Sequence, residues 1–164
     1  MRKYITFLSL TLLLFLSSCS KEEDIIWDIQ PLFFQVEVVD QLGNNLMDPA
    51  HEKNLLNSGI TATFMGKTYE LHAVDDTPQT RAYLPVFYGL VYQQDYTGKY
   101  ILFFGELDGT KSYKNETLVI DWKDGTTSEL KVDYRFKWKG NKPKIKEKIW
   151  YKGEEVKRTI KIVK

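Results

Sequence analysis

The sequence predicts an all-β domain: a single antiparallel β-sandwich of about seven to nine strands, with at most one short helix. Three observations predict it. Apolar residues recur with a period of two along most of the chain. Turn chemistry interrupts the pattern every ten residues or so. One segment alone, beginning at Asp48-Pro49, carries helix signals.

Taken in order, Leu32 to Val39 reads as the first strand, with Phe34, Val36 and Val38 on one face and Gln35 and Glu37 on the other. Asp40-Gln41-Leu42-Gly43-Asn44-Asn45 is turn chemistry. Asp48 caps, and Pro49 starts, a short helix running to about Asn57, with Gly59 as its stop. Ile60 to Phe64 and Lys67 to Ala73 form a hairpin around Met65-Gly66. Asp75-Asp76-Thr77-Pro78 is a loop. Pro85 and Gly89 make any strand between Ala82 and Tyr92 an edge strand or a broken one. Tyr100-Ile101-Leu102-Phe103-Phe104 is a strand buried on both faces, and Asp108-Gly109 turns the chain. Glu116 to Trp122 and Ser128 to Lys139 flank a tight turn at Lys123-Asp124-Gly125-Thr126. In the second of these strands Leu130, Val132, Tyr134, Phe136 and Trp138 face one way, and Lys131, Asp133, Arg135 and Lys137 the other. Asn141-Lys142-Pro143 turns again. Lys144 to Tyr151 and Glu155 to Val163 make a last hairpin around Lys152-Gly153-Glu154.

The first residues have a different character. Arg2 and Lys3 precede an uncharged, largely apolar run from Tyr4 to Leu16. This is the charged start and apolar middle of a secretory signal. It is shorter than the roughly 20 apolar residues needed to span a bilayer. Leu16-Ser17-Ser18-Cys19 follows, and Cys19 is the single cysteine of the chain. The motif resembles the lipobox of bacterial lipoproteins. The resemblance implies a diacylglyceryl group on the Cys19 sulfur, cleavage before Cys19 and acylation of the new amino terminus. Several acyl chains on one residue hold stably, at about 0.8 kcal/mol per buried CH2. The chain then divides into residues 1–18 as signal peptide, 19–31 as lipidated cysteine and tether, and 32–164 as the β-sandwich.

Ser20-Lys21-Glu22-Glu23-Asp24 follows the cysteine. This acidic cluster resembles the surface-export signal of Bacteroidetes lipoproteins, which implies an address on the outer face of the outer membrane. A solvated acidic tether is the plainer reading. Val36 to Leu46 is similar to the first strand and turn of transthyretin-like or carboxypeptidase-regulatory-type sandwiches. Ile120-Asp121-Trp122-Lys123-Asp124-Gly125-Thr126-Thr127-Ser128 is similar to the Trp/Phe-x-Asp-Gly-Thr hairpin of PKD-type immunoglobulin-like domains, with Lys123 at a position usually held by Gly. As a whole the chain resembles the small surface lipoproteins of Bacteroidetes. That implies a fold class and an address but no activity.

Without residues 1–18 the chain has 146 residues, one domain's worth, with 21 Lys+Arg against 22 Asp+Glu. No nucleic-acid partner follows from that balance. The charges are nevertheless segregated: residues 20–80 sum to −8 and residues 137–164 to +8. Either the acidic and basic strands compensate one another, or the basic end forms a patch for an anionic glycan or lipid headgroup. Lys144, Lys146 and Lys148 alternate with Ile145, Glu147 and Ile149, so the lysines share one exposed face. They serve there as a guard on a strand edge or as a binding patch.

Catalytic chemistry finds little purchase. His51 and His72 are the only histidines, and no Cys/His metal spacing or Gly-x-Ser-x-Gly motif occurs. No cofactor is called for. Asp75, Asp76, Asp108, Asp121 and Asp124 are candidate paired carboxylates, but their surroundings favour turns. Tyr88, Tyr92, Gln93 and Tyr96 are candidates for stacking on and hydrogen-bonding a sugar ring, set against a role in core and turn. The expected function is a non-catalytic binding or assembly module, lipid-anchored through Cys19, whose partner is a glycan or an outer-membrane protein. A small envelope hydrolase and a purely structural component are the alternatives.

Overall fold

The period-two segments become strands. Leu32–Val39 is β1, with Phe34, Val36 and Val38 buried and Gln35 and Glu37 half-buried on the other face. Thr61–Phe64 (β2) and Lys67–Ala73 (β3) form the expected hairpin. Met65 and Gly66 have φ of 50° and 76°, the pair of positive values that a type I′ connection requires. Then follow β4 (Leu90–Gln94), β5 (Tyr100–Leu107), β6 (Tyr113–Asp121), β7 (Thr127–Lys139), β8 (Lys142–Tyr151), β9 (Glu154–Val156) and β10 (Thr159–Val163). The structure, a computed structural model, describes residues 26–73 and 89–164.

The fold is all-β. Among the described residues the strands form one ten-stranded sheet, one strand more than the upper end of the seven to nine expected, in the order β10-β1-β5-β4-β3-β2-β6-β7-β8-β9. β3 carries the sheet round a corner: Lys67–Glu70 pair with β2, and Leu71–Ala73 pair with β4. The end strands β9 and β10 are consecutive in the chain, so the sheet is nearly closed on itself. Arg158, in the link between them, ties the two ends. Its backbone carbonyl accepts from Gln35 N–H on β1 at 3.0 Å. Its guanidinium donates to both carboxylate oxygens of Glu147 on β8, at 2.8 and 2.5 Å. It also lies over the Phe33 ring, 4.8 Å from the centroid.

One core fills the interior, drawn from both halves of the sheet: Phe34, Val36 and Phe104 from one side, Phe64, Leu118, Ile120, Leu130 and Tyr134 from the other. Phe34 meets Phe64 edge-on at 6.5 Å although their strands are not neighbours in the sheet.

Several expectations are corrected. The pairing is mixed rather than purely antiparallel, because β1–β10 and β3–β4 run parallel. No helix forms between Asp48 and Asn57. Asp48 Oδ1 accepts from Ala50 N–H at 2.8 Å, as a cap would. The chain then makes separate turns, from Asp48 O to His51 N and from His51 O to Asn54 N. Asn54 donates its side chain to His51 O and accepts from Leu56 N–H, and Leu55 N–H goes to Leu46 O on another segment. Short polar side chains compete with helical backbone bonds in this way. β4 is not an edge, since it lies between β3 and β5. It begins after a bend at Gly89, and Ala82 to Tyr88 of the expected segment lie outside the described residues. The turn after β7 is Gly140-Asn141, one residue earlier than expected, and Pro143 sits inside β8. The last arm is split at Lys157-Arg158 into β9, which pairs with β8, and β10, which joins β1.

The segment leading into β1 is held against the body. A Cβ placed on Gly109 would lie 2.2 Å from the Gln30 carbonyl oxygen, so only glycine lets this strand approach. Further upstream, Trp27 Nε1–H donates to Asn141 O at 2.8 Å, at the turn between β7 and β8.

Candidate functional site

β7 and β8 form a hairpin in which side-chain direction alternates. Inward go Leu130, Val132 and Tyr134 from β7 and Ile149 from β8, all buried. Outward go Lys131, Asp133, Arg135, Lys137 and Lys139 from β7, opposite Trp150, Lys148, Lys146, Lys144 and Lys142 from β8. Lys144, Lys146 and Lys148 are all exposed on this one face. Register adds to them a second row of cations that sequence reasoning did not join to the first. Symmetry about the Gly140-Asn141 turn was the available signal, since a two-residue loop sets odd positions of β7 against even positions of β8.

Few carboxylates offset these charges. Asp133 accepts from Arg135 Nε and Nη2 at 2.8 and 2.7 Å. This hydrogen bonding holds the Asp133 carboxyl below its usual range and raises Arg135. Lys148 pairs with Glu155 at 2.8 Å. Lys137, Lys139, Lys142, Lys144 and Lys146 have no ion pair among the described residues. Further from the hairpin turn, on the same outer face, a shallow groove is lined by Asn115, Thr117, Glu129, Lys131, Trp150 and Lys152. Trp150, half-buried, offers a flat ring there, with Lys148 Nζ 6.0 Å from its centroid. Arg135 to Lys139 have only β8 beside them and Lys142 to Lys148 only β7, because β6 reaches no further than Tyr134 and β9 begins opposite Tyr151 and ends opposite Ile149. The lysines of β8 therefore stand on a stretch whose other side is an open edge.

The aromatic candidates separate. Tyr92 lies on the inner side of β4, half-buried, with its ring 6.5 Å from that of Tyr100. Gln93 points to the opposite face by strand alternation. Tyr96 is fully exposed at the β4–β5 turn. Tyr88 lies outside the described residues, as do Cys19, the acidic cluster at 22–24 and the Asp75-Asp76 pair.

The remaining carboxylate candidates, Asp108, Asp121 and Asp124, serve their own turns, as does Asp95. Asp95, Asp108 and Asp124 share one device: Oδ1 accepts from the Thr two residues on, at its N–H and at its hydroxyl. This is Asx-turn chemistry. Asp121 Oδ1 accepts from Lys123 N–H at 2.9 Å. The Asp124 carboxyl is lowered to about 2, first by the hydrogen bond from Lys164 and next by Thr126. His51 Nδ1 accepts from Lys53 N–H in a turn, and His72 is exposed on β3. Among the described residues no three of His, Cys, Asp and Glu gather as metal ligands, and no helix is long and apolar enough to cross a membrane.

No protein-family model, no curated protein and no solved structure matches this chain.

Proposed function

We propose that the protein is a non-catalytic binding module, held at the outer membrane by lipid on Cys19 and displayed on the cell surface. Its ligand is an anionic glycan lying across the outer face of β7 and β8. The observation that carries this reading is the row Lys137, Lys139, Lys142, Lys144 and Lys146, exposed and without carboxylate partners among the described residues. Such a field attracts polyanions, and Trp150, beyond the end of the row and beside Lys148, supplies a ring on which a sugar can stack. The address rests on the sequence alone, on Leu16-Ser17-Ser18-Cys19 and on Glu22-Glu23-Asp24.

Binding of polygalacturonate, with neutral dextran as the control, tests this reading. Binding of the acidic polymer should weaken as salt rises and surface charges are screened. It should be lost when Lys144, Lys146 and Lys148 are all replaced by Gln. Equal retention of both polymers, or of the acidic one by the triple variant, would reject the glycan reading.

A second reading has an observation of its own. Residues 142–148 have β7 on one side only, and lysines guard such edges against pairing with other chains. On that reading the triple variant aggregates more and no ligand binding changes. The hydrolase alternative gains less support, because Asp108, Asp121 and Asp124 spend an oxygen each on their own turns. Turnover of the polygalacturonate would revive it. An immunoglobulin-like or transthyretin-like sandwich belongs to the same proposal, and the Phe34–Phe64 contact between non-adjacent strands supports two facing layers.

A further inference from the structure

The inner face of the β7–β8 hairpin runs on past the core. Tyr134 is fully buried, Phe136 is half-buried, and Trp138 is 53% exposed. On β8 Glu147 lies opposite Tyr134 and is taken up by Arg158; beyond that pair Ile145, 43% exposed, lies opposite Phe136, and Pro143 opposite Trp138. The apolar alternation thus continues where the sheet has no further strand to cover it. Phe136 and Trp138 pack edge to face at 5.6 Å, and Ser112 binds Phe136 through both its N–H and its carbonyl, so the apolar end is held in place.

The chain upstream of β1 arrives at the same end. Trp27 bonds to Asn141 at the hairpin turn, and Ile26 beside it is 95% exposed. Cys19 is eight residues before Trp27. Eight residues span at most about 28 Å when fully extended. A lipid on Cys19 therefore keeps the hairpin turn within that distance of the bilayer.

We infer that this apolar end is a membrane-seating surface, with Trp138, Ile145, Ile26 and Trp27 entering the headgroup boundary of the bilayer that holds the Cys19 lipid. The inference rests on the lipid-anchor reading. The chemistry suits that depth. An indole has an apolar body and one N–H, and tryptophan concentrates at membrane–water interfaces for that reason. An amphipathic element with lysines on one face and Trp and Ile on the other lies in the interface without spanning it. The two faces then divide the work: the apolar one is seated, and the basic one points away from the lipid and stays open to a glycan.

The test uses the processed protein, purified from membranes in detergent and reconstituted into vesicles of phosphatidylcholine with phosphatidylglycerol. Matched vesicles carry acyl chains brominated near the headgroup. Flotation with the vesicles reads the anchor, and tryptophan quenching by bromine reads the seating. Trp122, buried, and Trp150, on the opposite face, are internal controls. Wild-type protein should float and lose emission on brominated vesicles. Replacement of both Trp27 and Trp138 by Phe should leave flotation intact and abolish the quenching, while the retained emission of buried Trp122 reports an intact fold. Flotation without quenching of the wild type would overturn the seating and keep the anchor. Quenching of the double variant equal to that of the wild type would also overturn it. Failure of the wild type to float would reject the lipid anchor, and the seating with it.

Discussion

The Tyr134 hydroxyl donates to the Gly109 carbonyl at 2.8 Å, tying the middle of β7 to the turn between β5 and β6. Tyr134 is fully buried, and burial raises its phenol above the usual range. Tyr134→Phe keeps the ring and leaves a buried carbonyl without that donor. It should cost about 1–3 kcal/mol, read from the midpoint of denaturant unfolding with an unchanged slope.

Gly109 has a second duty, since the Gln30 carbonyl crosses above it. Gly109→Ala should push residues 29–30 off the body. Hydrogen exchange should rise at the Trp27 indole N–H, with little change at Leu130, Val132 and Tyr134. Unchanged exchange at that indole would show that the approach is not maintained in solution.

Glu147 and Arg158 fasten the two ends of the sheet with a bidentate, part-buried pair. Glu147→Ala leaves the guanidinium, raised in pKa by that carboxylate, without its acceptor. Loss of a charge-assisted pair of this kind costs about 2 kcal/mol. Exchange protection should fall first in β9 and β10 and last in β6.

Asp124 titrates at about 2 against an ordinary 3.8, through its bond to Lys164. A carboxyl depressed in the folded state stabilises the fold above its unfolded pKa. That contribution is lost as pH falls from about 4 towards 2. Lys164→Ala should move the Asp124 midpoint up towards the ordinary value in a carboxyl-detected NMR titration. It should also remove the corresponding part of the acid sensitivity. A midpoint near 3.8 in the unaltered protein would contradict the pairing.

The anchor and the address come apart by mutation. Cys19→Ala should give unprocessed precursor or soluble product, and its recovery in the membrane fraction at the unaltered level would reject lipidation. Replacing Glu22, Glu23 and Asp24 with Ala should leave lipidation intact and reduce accessibility to external protease. Unchanged accessibility would leave the acidic run as a plain tether.

The strands were legible where side-chain alternation alone decides them. Phe34, Val36 and Val38, or Leu130 and Val132, declare their face locally. Partnership was not legible, because nothing near Gln35 states that it will lie beside Thr159. The same alternation also overstated the core: Trp138 keeps the inward phase of β7 but lies past the last strand that covers it. The helix signals at Asp48-Pro49 were real as a cap, and Asn54 then diverted the backbone. At the candidate site the exposed lysines of β8 could be read from their spacing. Their union with Arg135, Lys137 and Lys139, and the place of Trp150 among them, needed the register.

The parallel pairing of β1 with β10 sets a timetable. Gln35 is joined to Thr159 across 124 positions of sequence, while β2 finds β3 through a two-residue turn. Contacts that close so long a loop form late and slow the search. On one side β1 can dock against β5 once residue 107 has emerged. On the other, its backbone donors and acceptors stay open until Ile160 and Ile162 arrive. Between those moments the newborn chain carries an apolar strand with one bare flank, able to pair with a neighbouring copy. Synthesis and export are therefore when this strand is most open to mispairing, and crowding of nascent chains should lower the yield.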